Sequence, residues 1–215
     1  MRQRNIKNLS ERIEQNSRLL AENPKGCKGR WAEIFGNHNP IYLEIGCGKG
    51  NFITKHAAEE KEANFIACEG QKSVVLRALE KAEKSGIENL RVFIAFVNDL
   101  EDYFEPGELS GIYLNFSDPW PKARHAKRRL TYRKRLQNYR KILKPEGFIE
   151  FKTDNDGLFA FSLEEIEACG YGMIEMSRDL HGTPQGSHGE KSKQFMTEYE
   201  AKFAGQGKNI NFVRF

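Results

Sequence analysis

Three short stretches of this sequence hold residue types that could do chemistry together. In Glu44-Ile-Gly46-Cys-Gly48-Lys-Gly50-Asn51 an acid stands two residues ahead of a run of alternating glycines. Glycine there lets the backbone turn tightly and approach a ligand with no Cβ in the way. An acid at position 44 suits a ligand that carries a cationic amine. The third glycine comes one residue earlier than in the dinucleotide fingerprint G-x-G-x-x-G, which argues against a pyrophosphate site. A second acid, Glu69, ends the apolar run Asn64–Cys68, a position from which a carboxylate can accept from both hydroxyls of a ribose. The third stretch is Asn115-Phe116-Ser117-Asp118-Pro119-Trp120-Pro121-Lys122. Two prolines around a tryptophan pre-order its backbone, which lowers the entropy cost of binding. Trp120 can stack on a base, and Asp118 can accept from the N1–H and N2–H₂ of guanine.

Immediately afterwards the chain turns basic. Lys122 to Lys144 contains eleven Lys and Arg and no acid, leaving 23 of the 34 basic residues for the rest of the chain against all 30 acidic ones. Residues 1–30 form a second basic region, with eight Lys/Arg against three Glu. A solvated charged face normally mixes signs; the Lys122–Lys144 tract does not. An acidic body with two basic surfaces is polarised toward a polyanion, nucleic acid first and an anionic membrane surface second.

Positioning these groups requires strands that end where the groups begin. Ile41–Ile45, Asn64–Cys68, Leu90–Phe96, Gly111–Phe116 and Phe148–Lys152 are compact apolar runs that read as strands. Gly50–Glu60, Lys72–Ser85, Thr131–Leu143 and Leu158–Ala168 read as helices between and after them, with Thr131 as N-cap of its helix. Leu136, Tyr139 and Leu143 make the apolar stripe of that helix, opposite its basic residues. Gly172–Ser177 and Thr197–Ala204 read as two last strands with no helix between them, the latter on the alternation of Thr197, Tyr199, Ala201 and Phe203 with Glu198, Glu200 and Lys202. A short helix over Ser10–Ala21 lies on the N-terminal arm. The pattern predicts an α/β fold: a mostly parallel sheet with an antiparallel edge, helices on both faces. The expected organisation is a basic, partly flexible arm over 1–30 and one domain over 31–215.

Glu44, the glycine loop and Glu69 together resemble the class I S-adenosylmethionine-dependent methyltransferases. That resemblance implies a Rossmann-like sheet of seven strands, the last antiparallel. It assigns the methionine end of S-adenosylmethionine to Glu44, the passage beneath the cofactor to Gly46, Gly48 and Gly50, and its ribose to Glu69. The run from Tyr113 to Thr131, YLNFSDPWPKARHAKRRLT, is more specific: it resembles the signature of the bacterial tRNA (guanine-N7-)-methyltransferases. Phe151-Lys-Thr-Asp154-Asn and Met196-Thr197-Glu198-Tyr199-Glu200 extend the match, which runs from about Ile41 to Phe203.

Carried over residue by residue, the resemblance makes Asp118 the catalytic-site acid, bordering the cofactor as well. Lys122, Asp154, Thr197, Glu198, Tyr199 and Glu200 would contact substrate, and Arg124, His125, Ala126, Lys127, Arg128 and Arg129 would contact RNA. The family's usual acid near adenine is replaced here by Phe96, leaving apolar contact, main-chain amides or Asn98 to hold the ring. The implied reaction is methyl transfer to guanine N7 in the tRNA variable loop. N7 has an in-plane lone pair and no proton, so no general base is needed. No Cys–His or Ser–His constellation is visible, in keeping with that chemistry. A methyltransferase with another RNA or protein acceptor and a non-catalytic RNA-binding module are the competing readings.

The remaining features bound the answer. The chain has 215 residues, 39% hydrophobic and 11% aromatic, enough for one well-buried domain. No apolar run approaches the ~20 residues of a membrane span, and Met1-Arg-Gln-Arg-Asn-Ile has no signal-like apolar region. Four Cys without Cys-x-x-Cys spacing fit a reduced, cytoplasmic protein. No His or Cys spacing matches a metal site. Monomer and homodimer are both compatible with the sequence.

Overall fold

A computed structural model describes residues 6–215. Seven strands form one sheet in the order β3-β2-β1-β4-β5-β7-β6: β1 (Ile41–Ile45), β2 (Asn64–Glu69), β3 (Leu90–Ile94), β4 (Leu109–Asn115), β5 (Leu143–Thr153), β6 (Glu175–Ser177) and β7 (Asn211–Arg214). The first five run parallel, and β7 runs antiparallel to both β5 and β6. The mostly parallel α/β sheet expected from the alternating apolar runs is therefore present.

The helices are α1 (Leu9–Glu14), α2 (Trp31–Phe35), α3 (Asn51–Glu59), α4 (Lys72–Lys84), α5 (Arg133–Ile142), α6 (Asp156–Ala168), α7 (His188–Gln194) and α8 (Glu198–Ala204). Successive side chains of a strand point to opposite faces, so a buried parallel strand feeds two cores. On β2, Phe65 and Ala67 join Ile13, Phe52, Val75 and Leu79 from α1, α3 and α4. Ile66 and Cys68 join Trp31, Leu136, Phe159 and Ile166 from α2, α5 and α6. Every parallel strand thus ends on one edge, carrying Ile45, Glu69, Ile94, Asn115 and Thr153 to it.

Four expectations need correction, the last of them in the N-terminal arm. Thr197–Ala204 is the helix α8, not a strand. Thr197 caps it, its Oγ1 accepting from the Glu200 N–H at 2.9 Å while Glu200 Oε2 accepts from the Thr197 N–H at 3.4 Å. This reciprocal capping box satisfies two otherwise orphaned amides and outweighs the period-two pattern. The last strand is Asn211–Arg214, and α7 stands between β6 and β7, so the expected helix-free strand pair does not form. The N-cap of α5 is Tyr132; Thr131 is fully buried, its hydroxyl 2.7 Å from that of Ser162.

Along the expected arm, residues 1–5 lie outside the described residues. The expected helix over Ser10–Ala21 ends early: α1 stops at Glu14, a 3₁₀ turn covers Ser17–Leu19, and Leu20 bridges to Val92 on the β3 edge. Ile13 and Leu19 are buried. Four basic residues here face the acidic body: Arg12 pairs with Glu80, Arg18 with Glu83 at 2.9 Å, Lys25 with Asp102 at 2.7 Å and Lys28 with Glu105 at 3.7 Å.

Candidate active site

Strand order reverses direction between β1 and β4, and the crevice beyond the carboxyl ends of the strands at such a switch point is where open α/β sheets bind ligands. Two adjoining grooves fill it. One, of ≈ 610 Å³, is lined by Glu69, Gly70, Phe96, Asn98, Asp118 and Trp120 among others. The other, of ≈ 310 Å³, is lined by Glu44, Gly48, Asn51, Thr197, Glu198 and Tyr199 among others. Gly46, Asn115 and Phe116 border both.

Glu44 sits on the penultimate position of β1, 1% exposed. Its Oε1 accepts from Asn115 Nδ2 at 2.8 Å, and its Oε2 has no hydrogen-bond partner. Burial pushes its carboxyl up to about 7, against the pull of the Asn115 hydrogen bond and the Lys152 charge. A buried carboxylate oxygen without a donor is costly on its own. A ligand ammonium is the group that would satisfy it.

The glycine loop supplies room beside this acid. Gly46 and Gly48 adopt φ of +74° and +56°, and a Cβ on either would project into open space. Gly50, at φ +75°, has another reason: a Cβ there would lie 2.7 Å from Ala78 Cβ on α4. Gly50→Ala is expected to lower stability by roughly 2 kcal/mol or more through strain and overlap, read as a fall in the urea midpoint at constant slope. Glu69 Oε2 accepts from Gly48 N–H at 3.3 Å and Oε1 from Gln71 N–H at 3.0 Å, which fixes the carboxylate at the groove wall. Phe96 is 74% exposed, with its ring against Gly70: a Cβ there would lie 2.2 Å from it.

Asp118 is exposed at the cleft, on the loop that leaves β4. This loop is strained: Phe116 and Trp120 hold φ of +50° and +42°, two of the three non-glycine residues at positive φ among those described. Such backbone persists only where its surroundings over-determine it, and it concentrates at functional sites. Arg129 supplies part of that support through Nε to the Pro119 carbonyl and Nη2 to the Trp120 carbonyl, both 3.0 Å. Arg128 lies over the Trp120 ring at 4.7 Å, and His125 meets the same ring edge-on.

Thr197, Glu198 and Tyr199 face the second groove from the first turn of α8. Glu198 pairs with Lys49 of the glycine loop at 3.5 Å and with Lys81 at 3.1 Å. Tyr199 donates to Asp154 Oδ2 at 3.1 Å, and its ring packs against Phe116. Glu200 turns inward instead, fully buried and paired with the equally buried Lys152 at 2.9 Å. Lys122 lies outside both groove linings, on the exposed approach to the cleft.

In the basic tract, Lys122, Arg124, Lys127, Arg128 and Lys134 are exposed and make no ion pair among the described residues, whereas Arg133 pairs with Glu165 and Lys141 with Glu101. Sequence reasoning missed Asn115, whose amide orients Glu44, and Lys152, whose ammonium anchors Glu200. Both act through partners far away in the chain. For Asn115 the available signal was its place at the end of a strand whose neighbour carries Glu44.

The comparisons with known proteins agree with this geometry. A family model described as "Putative methyltransferase" matches residues 38–213. A tRNA (guanine-N(7)-)-methyltransferase of Lactococcus lactis subsp. cremoris is 47% identical over 210 residues, covering 98% of this chain and 95% of that protein. One from Streptococcus suis is 45% identical, covering 98% and 96%. Among solved structures, a 30S ribosomal A1408 methyltransferase from an uncultured bacterium superposes with a TM-score of 0.60 at 16% identity, over 87% of this chain and 92% of that one. A SAM-dependent methyltransferase from Aquifex aeolicus gives 0.54 at 16% identity, over 96% and 97%. These two carry the fold alone. With close to half of all residues identical over nearly the full length of both chains, this chain belongs to the tRNA (guanine-N(7)-)-methyltransferase family.

Proposed function

We propose that this chain transfers a methyl group from S-adenosylmethionine to N7 of a guanine in the tRNA variable loop. The observation that carries the reading is the cleft itself. A buried acid with a free oxygen stands at one end, a ribose-height acid at the other, and an exposed acid on a strained loop faces the space between. When bound, S-adenosylmethionine supplies a methyl group made electrophilic by a positively charged sulfur. Glu44 Oε2 would receive its ammonium, Gly46 and Gly48 would let it lie against the backbone, and Glu69 would accept from its ribose. Phe96 and Asn98, in the same groove as Glu69, would border its adenine.

The chain's remaining task is alignment. Guanine N7 offers its lone pair without losing a proton, so no side chain acts as a base. Holding N7 in line with the methyl carbon converts a bimolecular encounter into an oriented one. The methylated ring becomes cationic, and the Asp118 carboxylate stabilises that charge as it develops. Asp154, Thr197, Glu198 and Tyr199 hold the target nucleotide from the α8 side, with Lys122 on the approach; Glu200 holds α8 in place through Lys152.

N7 of a paired guanine lies in the deep major groove of A-form RNA, out of side-chain reach. An exposed guanine such as one in the variable loop is therefore the fitting target. Phosphate contacts from Lys122, Arg124, Lys127 and Arg128, beside His125 and Ala126, position the RNA. Removing one such contact should flatten the plot of log Kd against log salt by about 0.7–0.9. Arg124→Met and Lys127→Met are each expected to do so with cofactor affinity unchanged. Lys25→Met, whose ammonium pairs with Asp102, is expected to leave the slope alone.

No helix among the described residues is long and apolar enough to cross a membrane. We read the chain as a cytoplasmic protein, in keeping with action on tRNA. The test is incorporation of labelled methyl from S-adenosylmethionine into unmodified tRNA. Transfer that requires Glu44 and Asp118 supports the reading. Cofactor binding without transfer to tRNA would favour the RNA-binding-module reading.

A further inference from the structure

The basic tract does two different jobs, and the backbone that follows Trp120 divides them. After the 3₁₀ turn Ala123–Arg128, residues 129–132 make a tight turn into α5, closed by the Tyr132 N–H donating to the Arg129 carbonyl at 3.1 Å. On one side, Arg128 and Leu130 line the cleft. On the other, Arg129, Thr131 and Arg133 meet one face of α6. The Arg129 guanidinium lies 4.2 Å over the Phe161 ring, the Thr131 hydroxyl is 2.7 Å from that of Ser162, and Arg133 pairs with Glu165 at 2.7 Å.

Arg129 is the one of these three that also reaches back to the loop carrying Asp118. Its planar fork serves two successive carbonyls, Pro119 and Trp120, from Nε and Nη2. Trp120 is at φ +42°, a conformation that a tryptophan keeps only when neighbours hold it. A lysine would keep the charge but offers a single mobile ammonium, without the rigid fork or the stacking plane. Arg128, by contrast, faces the cleft, and Lys127 is exposed without an ion pair among the described residues.

We infer that Arg129 is a positioning residue for methyl transfer rather than a phosphate contact: anchored on Phe161 of α6, its guanidinium holds the Asp118–Trp120 turn in the shape that presents Asp118 to the target guanine. This deepens the proposed function and rests on it. The tract then separates into a scaffold set, Arg129 and Arg133, and an RNA-facing set that includes Arg124, Lys127 and Arg128.

The test compares Arg129→Lys, Arg129→Met and Lys127→Met with the unaltered chain, on unmodified tRNA with saturating S-adenosylmethionine. Both Arg129 variants should lower kcat roughly 10- to 100-fold, the scale of a misplacement of about 1 Å at a reacting group. Their KM for tRNA and the salt slope of tRNA binding should stay unchanged. Lys127→Met should flatten the slope and raise the KM for tRNA, which neither Arg129 variant should do. Because Arg129 acts through the loop of Asp118, Arg129→Lys in an Asp118→Asn background should cost less than about threefold more, a non-additivity expected only of groups that share a mechanism. Full kcat in Arg129→Lys would overturn the inference, since charge would then suffice. So would a flattened salt slope in Arg129→Met, or losses that add in full with Asp118→Asn. If the unaltered chain transfers no methyl group to tRNA, it is the proposed function that fails.

Discussion

Asp118→Asn is expected to lower kcat by about 10²–10³, the range found when one pre-positioned group facing developing charge is removed. The amide keeps the size and the hydrogen-bonding oxygen but loses the charge that meets the cationic product ring. Affinity for tRNA and for S-adenosylmethionine should change little, because phosphate contacts and Glu44 supply most of each. The loss therefore belongs in kcat and kcat/KM together, the signature of an interaction made mainly in the transition state. Since N7 gives up no proton, the solvent deuterium isotope effect on methyl transfer should stay near one in the unaltered enzyme. A large isotope effect, or near-full turnover in Asp118→Asn, would remove the electrostatic role assigned here.

Glu44→Gln should act in opposite directions on binding and on folding. The ligand ammonium needs the carboxylate, so the variant should lose about 100-fold in affinity for S-adenosylmethionine at pH 8, as expected for truncating a buried charged pair. In the unaltered protein the free site titrates near 7. Affinity should then fall as pH drops below 7, because binding must expel a proton from Glu44; the Gln variant should lack this dependence. Stability follows the same linkage. An acid whose carboxyl is raised from its ordinary 4.5 to about 7 favours the folded state most at low pH, and that contribution is lost as pH climbs from 4.5 through 7. The loss amounts to about 3 kcal/mol, on the order of 1.4 kcal/mol for each pH unit of the shift. Between pH 5 and pH 8 the ligand-free protein should lose that amount, and Glu44→Gln should not. Equal pH dependence of unfolding in both proteins would place the titration elsewhere.

The two acids and the glycine loop were legible before any fold was known because each is local: a strand end, a tight turn, a carboxylate at a set distance from both. The five parallel strands were legible for a similar reason, since apolar runs bounded by glycine and polar residues have few other readings. The C-terminal third was harder. TEYEAKFA alternates as a strand would, yet its Thr197-x-x-Glu200 spacing is also a capping box, and Lys152 beneath it makes Glu200 a buried anchor. That choice depends on a strand 45 residues or so upstream, which no local pattern contains. The polar helix α7 has almost no apolar face to announce it. The basic tract read correctly as one charged block, but its division between α6 and the cleft is set by how the turn over 129–132 packs in three dimensions. The arm illustrates the converse: its charges look like an RNA surface in sequence, and most of those described are neutralised by acids of the body.

The most direct test of the central claim identifies the acceptor atom. Unmodified tRNA is incubated with the enzyme and S-adenosylmethionine, then reduced and treated with aniline, which cuts the chain at N7-methylguanine. Scission is expected at a single guanine in the variable loop, dependent on enzyme and abolished in Glu44→Gln at low cofactor concentration. Methyl incorporation without scission would contradict that claim, because the accepting atom would then not be N7 of guanine.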